Sequence, residues 1–250
     1  MSKKKSKKQS LPIFSYDGTL QCVLVVVAHP DDIDFGSAGT IAMLTSHGVN
    51  VAYCLVTSGD AGGDASTHTK QERAAIRERE QTAAAAEVGV TTLHFLKWPD
   101  GEVEPTLELR REISRVIRIE RPDVVITQSP ERNWERIYAS HPDHLATGEA
   151  TMRAVYPDSR NPHSHPELIA EGFAPHTIPE VWVSSSQPNF IVDTTEYFDK
   201  KLAALRQHES QVGGNADLEK MLREWGRRVA KEAGLGKGRL AEGFRRVATQ

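Results

Sequence analysis

Several absences narrow the field before any motif is read. Two cysteines in 250 residues, Cys22 and Cys54, both sit inside apolar runs. A disulfide framework and a thiolate metal site are therefore excluded, and each free thiol counts as a small hydrophobe. No apolar stretch approaches the roughly 20 residues that a membrane helix requires, and none follows the Lys-rich opening MSKKKSKKQS. The expectation is a cytoplasmic protein with neither secretory leader nor membrane partner. A formal net charge of -3 with 26% charged residues is too balanced for binding by bulk charge, so no nucleic-acid partner is expected. The Gly-containing loop SGDAGG does not fit G-x-G-x-x-G, and the first apolar run ends in AHPDD where a dinucleotide fingerprint would belong. NAD binding is rejected.

What is present is alternation. Apolar strands at 22–28, 50–56, 92–95 and 123–128 are separated by helical patterns at about 37–47, 70–88 and 106–120, and a further helix spans about 144–155. Continuous apolar strands alternating with amphipathic helices imply βαβ units around a parallel sheet covered on both faces. The expected fold is α/β, a Rossmann-like three-layer sandwich with a mainly parallel sheet. Strands at 180–184 and 189–192 extend it, 156–179 reads as a long surface loop, and a helix covers 196–209. Three segments result: a disordered Lys-rich arm at 1–16, one catalytic domain at 17–213, and a basic, Gly-interrupted, at best helical appendage at 214–250.

The chemistry lies where strands end. The first strand runs into His29, Asp31, Asp32 and Asp34, an expensive concentration of charge beside a core unless something compensates it. In an open parallel sheet the carboxyl ends of strands converge on one crevice. His29 and Asp32, three apart across a turn containing Pro30, form an ordinary pair of zinc ligands. A second cluster, His141, Asp143 and His144, follows the fourth strand. Two such turns facing each other supply the three protein ligands of a catalytic zinc and leave a position for water. One Asp would suffice to cap a helix, which is the plainer use of such turns.

The stretch AHPDDIDFGSAGTIA and the later SHPDH resemble the AHPDD and HPDH motifs of the PIG-L/LmbE-like zinc-dependent de-N-acetylases, over about residues 21–212. That family includes deacetylases of the mycothiol and bacillithiol pathways. The resemblance implies that His29, Asp32 and His144 bind the metal and that Asp31 is the general base. It also implies that His141 stabilises the oxyanion or acts as acid, oriented by Asp143. Arg77, in RERE, corresponds to the Arg of an R-x-x-E pattern and would bind substrate polar groups, with Glu80 as its acidic member. Asp34 stands where many members carry Glu. His208, in HESQ, is a candidate substrate-binding residue, with a structural histidine as the equal alternative.

The function expected on these grounds is hydrolysis of the acetamide of a small N-acetyl-sugar conjugate of GlcNAc type. The cofactor is Zn2+, with Fe2+ as the alternative, and self-association into a homo-oligomer is left open. Three rival readings stand beside it. An amidase of a larger thiol-sugar conjugate uses the same residues, and a ferrous oxygenase shares the two-His, one-carboxylate set. A non-catalytic carbohydrate-binding or nucleic-acid-associated protein, using the basic arm and tail, would bind in a salt-sensitive, metal-independent way.

Overall fold

Strand β1 (Cys22–Val27) sends Val23, Val25 and Val27 to one face of the sheet and Leu24 and Val26 to the other, and all five are buried. Burial on both faces is why this run is continuously apolar. In the computed structural model, residues 10–62, 67–184 and 187–250 are described. After β1 come α1 (Asp32–Gly36), α2 (Ala38–Ser46), β2 (Asn50–Thr57), α3 (Lys70–Glu87), β3 (Thr92–Trp98), α4 (Leu107–Glu120), β4 (Val124–Gln128) and α5 (Pro142–Arg153). The remainder is α6 (Pro166–Ala170), β5 (Glu180–Ser184), β6 (Phe190–Asp193), α7 (Phe198–Arg206), α8 (Glu209–Val212), α9 (Leu218–Glu232) and β7 (Ala241–Ala248).

The helix starts follow from local chemistry. Thr69 and Glu72 form a reciprocal capping box at α3, and the Thr106 side chain accepts the Leu109 amide at α4. One apolar cluster joins α2, α3 and α7 to the β1 face bearing Val25, while the other joins α4 and α5 to the face bearing Leu24. The three-layer α/β arrangement is as expected.

The sheet order is β3-β2-β1-β4-β5-β7-β6. The first five strands are parallel, and β7 runs antiparallel to both β5 and β6. From β1 the chain winds outward to β3, then returns to the other side of β1 as β4. The reversal opens a crevice outside the carboxyl ends of β1 and β4, the place where ligands bind in such sheets.

Three expectations are corrected. The stretch 241–248, read within a helical appendage, is strand β7, and it separates β5 from β6. Its adjacent arginines hide the strand from any apolar alternation, but Glu242 anchors it. That carboxylate accepts the Gly39 and Thr40 amides at 3.1 and 2.7 Å and Lys201 Nζ at 2.5 Å. Residues 1–9 of the proposed arm lie outside the described residues, but 10–16 do not dangle. Ile13 bridges Ile191, and the Phe14 ring packs edge-on against Trp182 at 5.0 Å. The supposed loop at 156–179 contains α6, and buried Arg118 ties its start down through the carbonyls of Asp158, Ser159, Asn161 and Ser164.

Candidate metal centre

The turn after β1 is built by its own side chains. Asp32 Oδ2 accepts the His29 amide at 2.8 Å, and α1 starts at Asp32. Asp31 takes a left-handed conformation, φ 84°, costly for a residue with a side chain though least so for Asp and Asn. Its amide donates to Gln81 Oε1 at 2.8 Å, which holds it there. On the facing side His141 caps α5, accepting the Asp143 amide on Nδ1 at 3.2 Å, and Pro142 fills the first helical position. Gly148 lets α5 lie against the end of β4: a Cβ there would sit 2.5 Å from the Gln128 carbonyl oxygen. This contact seats His144, one turn earlier, opposite His29.

Three residues bring donor atoms together between the turns, Asp32 meeting each histidine through a different carboxylate oxygen. His29 Nδ1 is 3.2 Å from His144 Nε2 and 3.3 Å from Asp32 Oδ2, and His144 Nε2 is 3.0 Å from Asp32 Oδ1. Zinc–ligand bonds of about 2.0–2.1 Å in a tetrahedron imply ligand–ligand edges of about 3.4 Å, so this face is the size that such an ion needs. Two wider groupings, with atoms within 4.8 Å, also contain His29: one with His141 and His144, the other with Asp100 and Asp143. The second is accounted for by hydrogen bonding. His29 Nε2 lies 3.1 Å from both Asp100 Oδ1 and Asp143 Oδ2, so that nitrogen carries a proton and Nδ1 is the one left to face a metal once its own proton is displaced.

The charge balance points the same way. Burial works against a charged His29 ring, yet Asp100, Asp143 and Asp32 outweigh it and push its pKa up to about 12. For Asp32, burial is overcome by His144 and His29, which hold the carboxyl below its usual range. A site that draws a second proton onto His29 is short of positive charge, and a divalent cation at the trio would supply it. The residues therefore fit a metal.

Asp31 stands beside the trio without joining it. Burial pushes its pKa up to about 7, with the Asp32 charge adding to this against the pull of Arg77, His208 and His29. Arg77 Nη2 donates to Asp31 Oδ2 at 3.1 Å and to the Pro30 carbonyl at 2.6 Å, while Nη1 donates to the Gly59 carbonyl at 3.2 Å. Gly59, at φ +66°, has no room for a side chain, since a Cβ would lie 2.3 Å from Arg77 Nη1.

These contacts correct several sequence-based roles. Arg77 is only 4% exposed, and its guanidinium is taken up by Asp31, Pro30 and Gly59, so little of it is open to a substrate. His208 is 0% exposed and meets Asp34 Oδ2 at 2.8 Å. It too is closed to substrate, and its link runs through Asp34 and Gln81 Nε2, 2.9 Å apart, to the Asp31 amide. Asp143 does not orient His141 through its carboxylate, which serves His29 and the Gly101 and Val103 amides at 2.7 and 3.3 Å. Glu80 binds Ser210, joining α3 to α8. In the loop SGDAGG, Gly63 lies outside the described residues.

His141 completes the rim, its ring centroid 4.9 Å from that of His29 and 5.3 Å from that of His144. With Nδ1 accepting from the backbone, the neutral ring carries its proton on Nε2. Burial, then the His29 charge, lowers its pKa below the ordinary value, so the free site disfavours an imidazolium here. Asp100, Gln81 and Gln128, whose Oε1 accepts the Ala28 amide at 2.9 Å, were missed by sequence reasoning. Only Asp100 carried a signal, a Pro-Asp turn at the end of β3. Trp98 is a packing residue, bonded to Glu112 at 2.6 Å. His47, His94, His165 and His176 are engaged with Met43, Glu120, Asp158 and Pro122 away from the trio.

Comparison with known proteins gives a consistent picture. A family model described as GlcNAc-PI de-N-acetylase, PIG-L, matches residues 24–155. The chain is 37% identical over 231 residues to diacetylchitobiose deacetylase of Thermococcus kodakarensis, covering 90% of this chain and 82% of that one. It is 35% identical over 194 residues to a probable N-acetyl-alpha-D-glucosaminyl L-malate deacetylase 2 of Bacillus anthracis, covering 76% and 80%. Among solved structures, N,N'-diacetylchitobiose deacetylase of Pyrococcus horikoshii superposes with a TM-score of 0.84 at 31% identity, over 92% of this chain and 85% of that one.

Proposed function

Because this chain belongs to the PIG-L family of de-N-acetylases, we propose that it hydrolyses the acetamide of an N-acetylglucosamine unit in a small conjugate, releasing acetate and a free amine. The observation that carries this reading is the trio of His29 Nδ1, Asp32 and His144 Nε2 at tetrahedral spacing, with Asp31 alongside and unligated. His29, Asp32 and His144 would hold zinc. When bound, zinc lowers the pKa of a coordinated water to about 7 and acts as a Lewis acid toward the carbonyl.

The protein's own part is proton transfer and orientation. Asp31, as carboxylate, takes the proton of the attacking water and passes it to the amine nitrogen as the C–N bond breaks. Arg77 and the Gln81 side chain fix where that carboxylate stands. His141 offers its Nε2 proton to the oxygen that gains charge as the amide carbon becomes tetrahedral, a contribution of a few kcal/mol in comparable sites. Asp100 and Asp143 keep the His29 ring in the tautomer that presents Nδ1.

The test is acetate release from N-acetylglucosamine conjugates. Activity should vanish with a chelator and return with zinc, the metal content being followed on the same sample. Full activity in protein stripped of metal would overturn the reading.

A further inference from the structure

The crevice at the trio does not end at the ligands. Asp32 and His144 border a cleft of about 300 Å3 whose far wall is Phe35, Gly36, Ser184 and Trp225. The same four residues border a second hollow of about 200 Å3, lined further by Leu222 and Val229 of α9, by Leu240 and by the start of β7. Trp225 thus borders both the cleft at Asp32 and His144 and the hollow beyond it. Phe35 follows Asp32 by three residues on α1, so its place relative to the ligands is fixed. Its ring lies 6.3 Å from that of Trp225. On α9, Leu218, Leu222 and Ala230 are buried, but Trp225 remains 38% exposed.

The polarity of the second hollow narrows what it can take. Its two charged lining residues are already committed: Lys201 Nζ bonds the Phe35 carbonyl at 2.8 Å and Glu242 at 2.5 Å, and Glu242 also serves the α2 amides. A carboxylate or phosphate entering there would meet an ammonium whose charge Glu242 already balances. An uncharged group with an apolar face would find an indole, a rigid and broad surface that binds such faces well.

We propose that Trp225 is the platform of a second subsite, which takes a neutral ring joined to the N-acetylated sugar and seats that ring's apolar face on the indole. The proposal rests on the deacetylase reading and adds which kind of conjugate the enzyme selects. The neutral ring is either a second pyranose or an aryl group, and the two sources are separable by experiment.

Zinc-loaded wild type and Trp225→Ala are compared on N-acetylglucosamine, N,N'-diacetylchitobiose and 4-nitrophenyl N-acetylglucosaminide. The readout is the ratio of kcat/KM for each two-ring substrate to that for the single sugar. The substitution should lower that ratio about tenfold, chiefly through KM, and Trp225→Phe should restore most of it. Loss with chitobiose names a pyranose subsite, and loss with the nitrophenyl glycoside alone names an aryl one. Trp225→Leu, which keeps apolar bulk but no flat ring, must show the same loss; it replaces the Ala variant if that fails to fold. Ratios within about twofold of wild type for both substrates would overturn the subsite while leaving the deacetylase reading intact. No acetate from any of the three would overturn both.

Discussion

Arg77 Nη2 donates to Asp31 Oδ2 at 3.1 Å, and the other bonds of its guanidinium run to the Pro30 and Gly59 carbonyls. A guanidinium serves three acceptors in fixed directions, and an ammonium cannot. Arg77→Lys should therefore lower kcat about 100-fold, as misplacing a general base does, with KM little changed. A rise in KM at constant kcat would return Arg77 to the role of substrate contact. Steady-state kinetics on one substrate decides between them.

Asp100 and Asp143 share the single proton on His29 Nε2 at 3.1 Å each. Partners of this kind are worth about 10–100-fold in metal affinity. Asp100→Asn and Asp143→Asn should each fall near the lower figure, and the double variant near the upper. Zinc affinity measured by competition with a chromophoric chelator checks this, and unchanged affinity in the double variant would refute it.

Metal uptake should release protons. Without metal, the carboxylates around His29 push its pKa up to about 12, so at about pH 8 the ring is doubly protonated while Asp31, pushed up to about 7, is mostly ionised. Binding needs the His29 Nδ1 lone pair, so about one proton per zinc should leave at that pH, visible by calorimetry in buffers of different ionisation heat. The same raised pKa stabilises the metal-free protein fully below the ordinary histidine value of 6.5, and that stabilisation is lost as pH rises from there toward 12. Melting temperatures of stripped protein should thus decline with pH across this window, and those of zinc-loaded protein less so.

Asp31 must be ionised to accept a proton, so kcat/KM should rise with pH along an acid limb. Its midpoint should lie below about 7, because a bound cation lowers the pKa that burial raises. Asp31→Asn should lower turnover about 100- to 10,000-fold while metal content stays at the wild-type level. Turnover near that of the wild type would show that another group is the base.

Lys201 and Glu242 are paired at 2.5 Å with side chains 10% and 6% exposed. Glu242→Ala leaves a buried ammonium unpaired, which costs about 3–5 kcal/mol. The midpoint of denaturant unfolding should fall accordingly, and adding Lys201→Met should recover part of the loss.

What the sequence made legible was whatever is local. His29, Asp31 and Asp32 lie within four positions, and His141 to His144 within another four, so their convergence needed only the rule about strand ends. The burial of Arg77 could not be read from the charged run RERE; it depends on Gly59 and the Asp31 turn closing around it, contacts 18 and 46 positions away. His208 was ambiguous for the same reason, since its partner Asp34 lies 174 positions off. Gln81, a neutral residue in a polar helix, gave no sign of carrying the Asp31 amide. Strand β7 was lost because its charges outweigh its apolar content, and only the pairing on both sides makes it a strand.

That strand also constrains the order of assembly. Because β7 lies between β5 and β6 although it follows both in sequence, β6 cannot reach its final place until residues 241–248 have been synthesised. Until then β5 presents a row of unpaired amides and carbonyls at an open sheet edge, an invitation to pair with a neighbouring chain. A nascent or cleaved polypeptide stopped short of β7 would therefore be a template for intermolecular sheet growth, and quality control on the ribosome would meet it in that form.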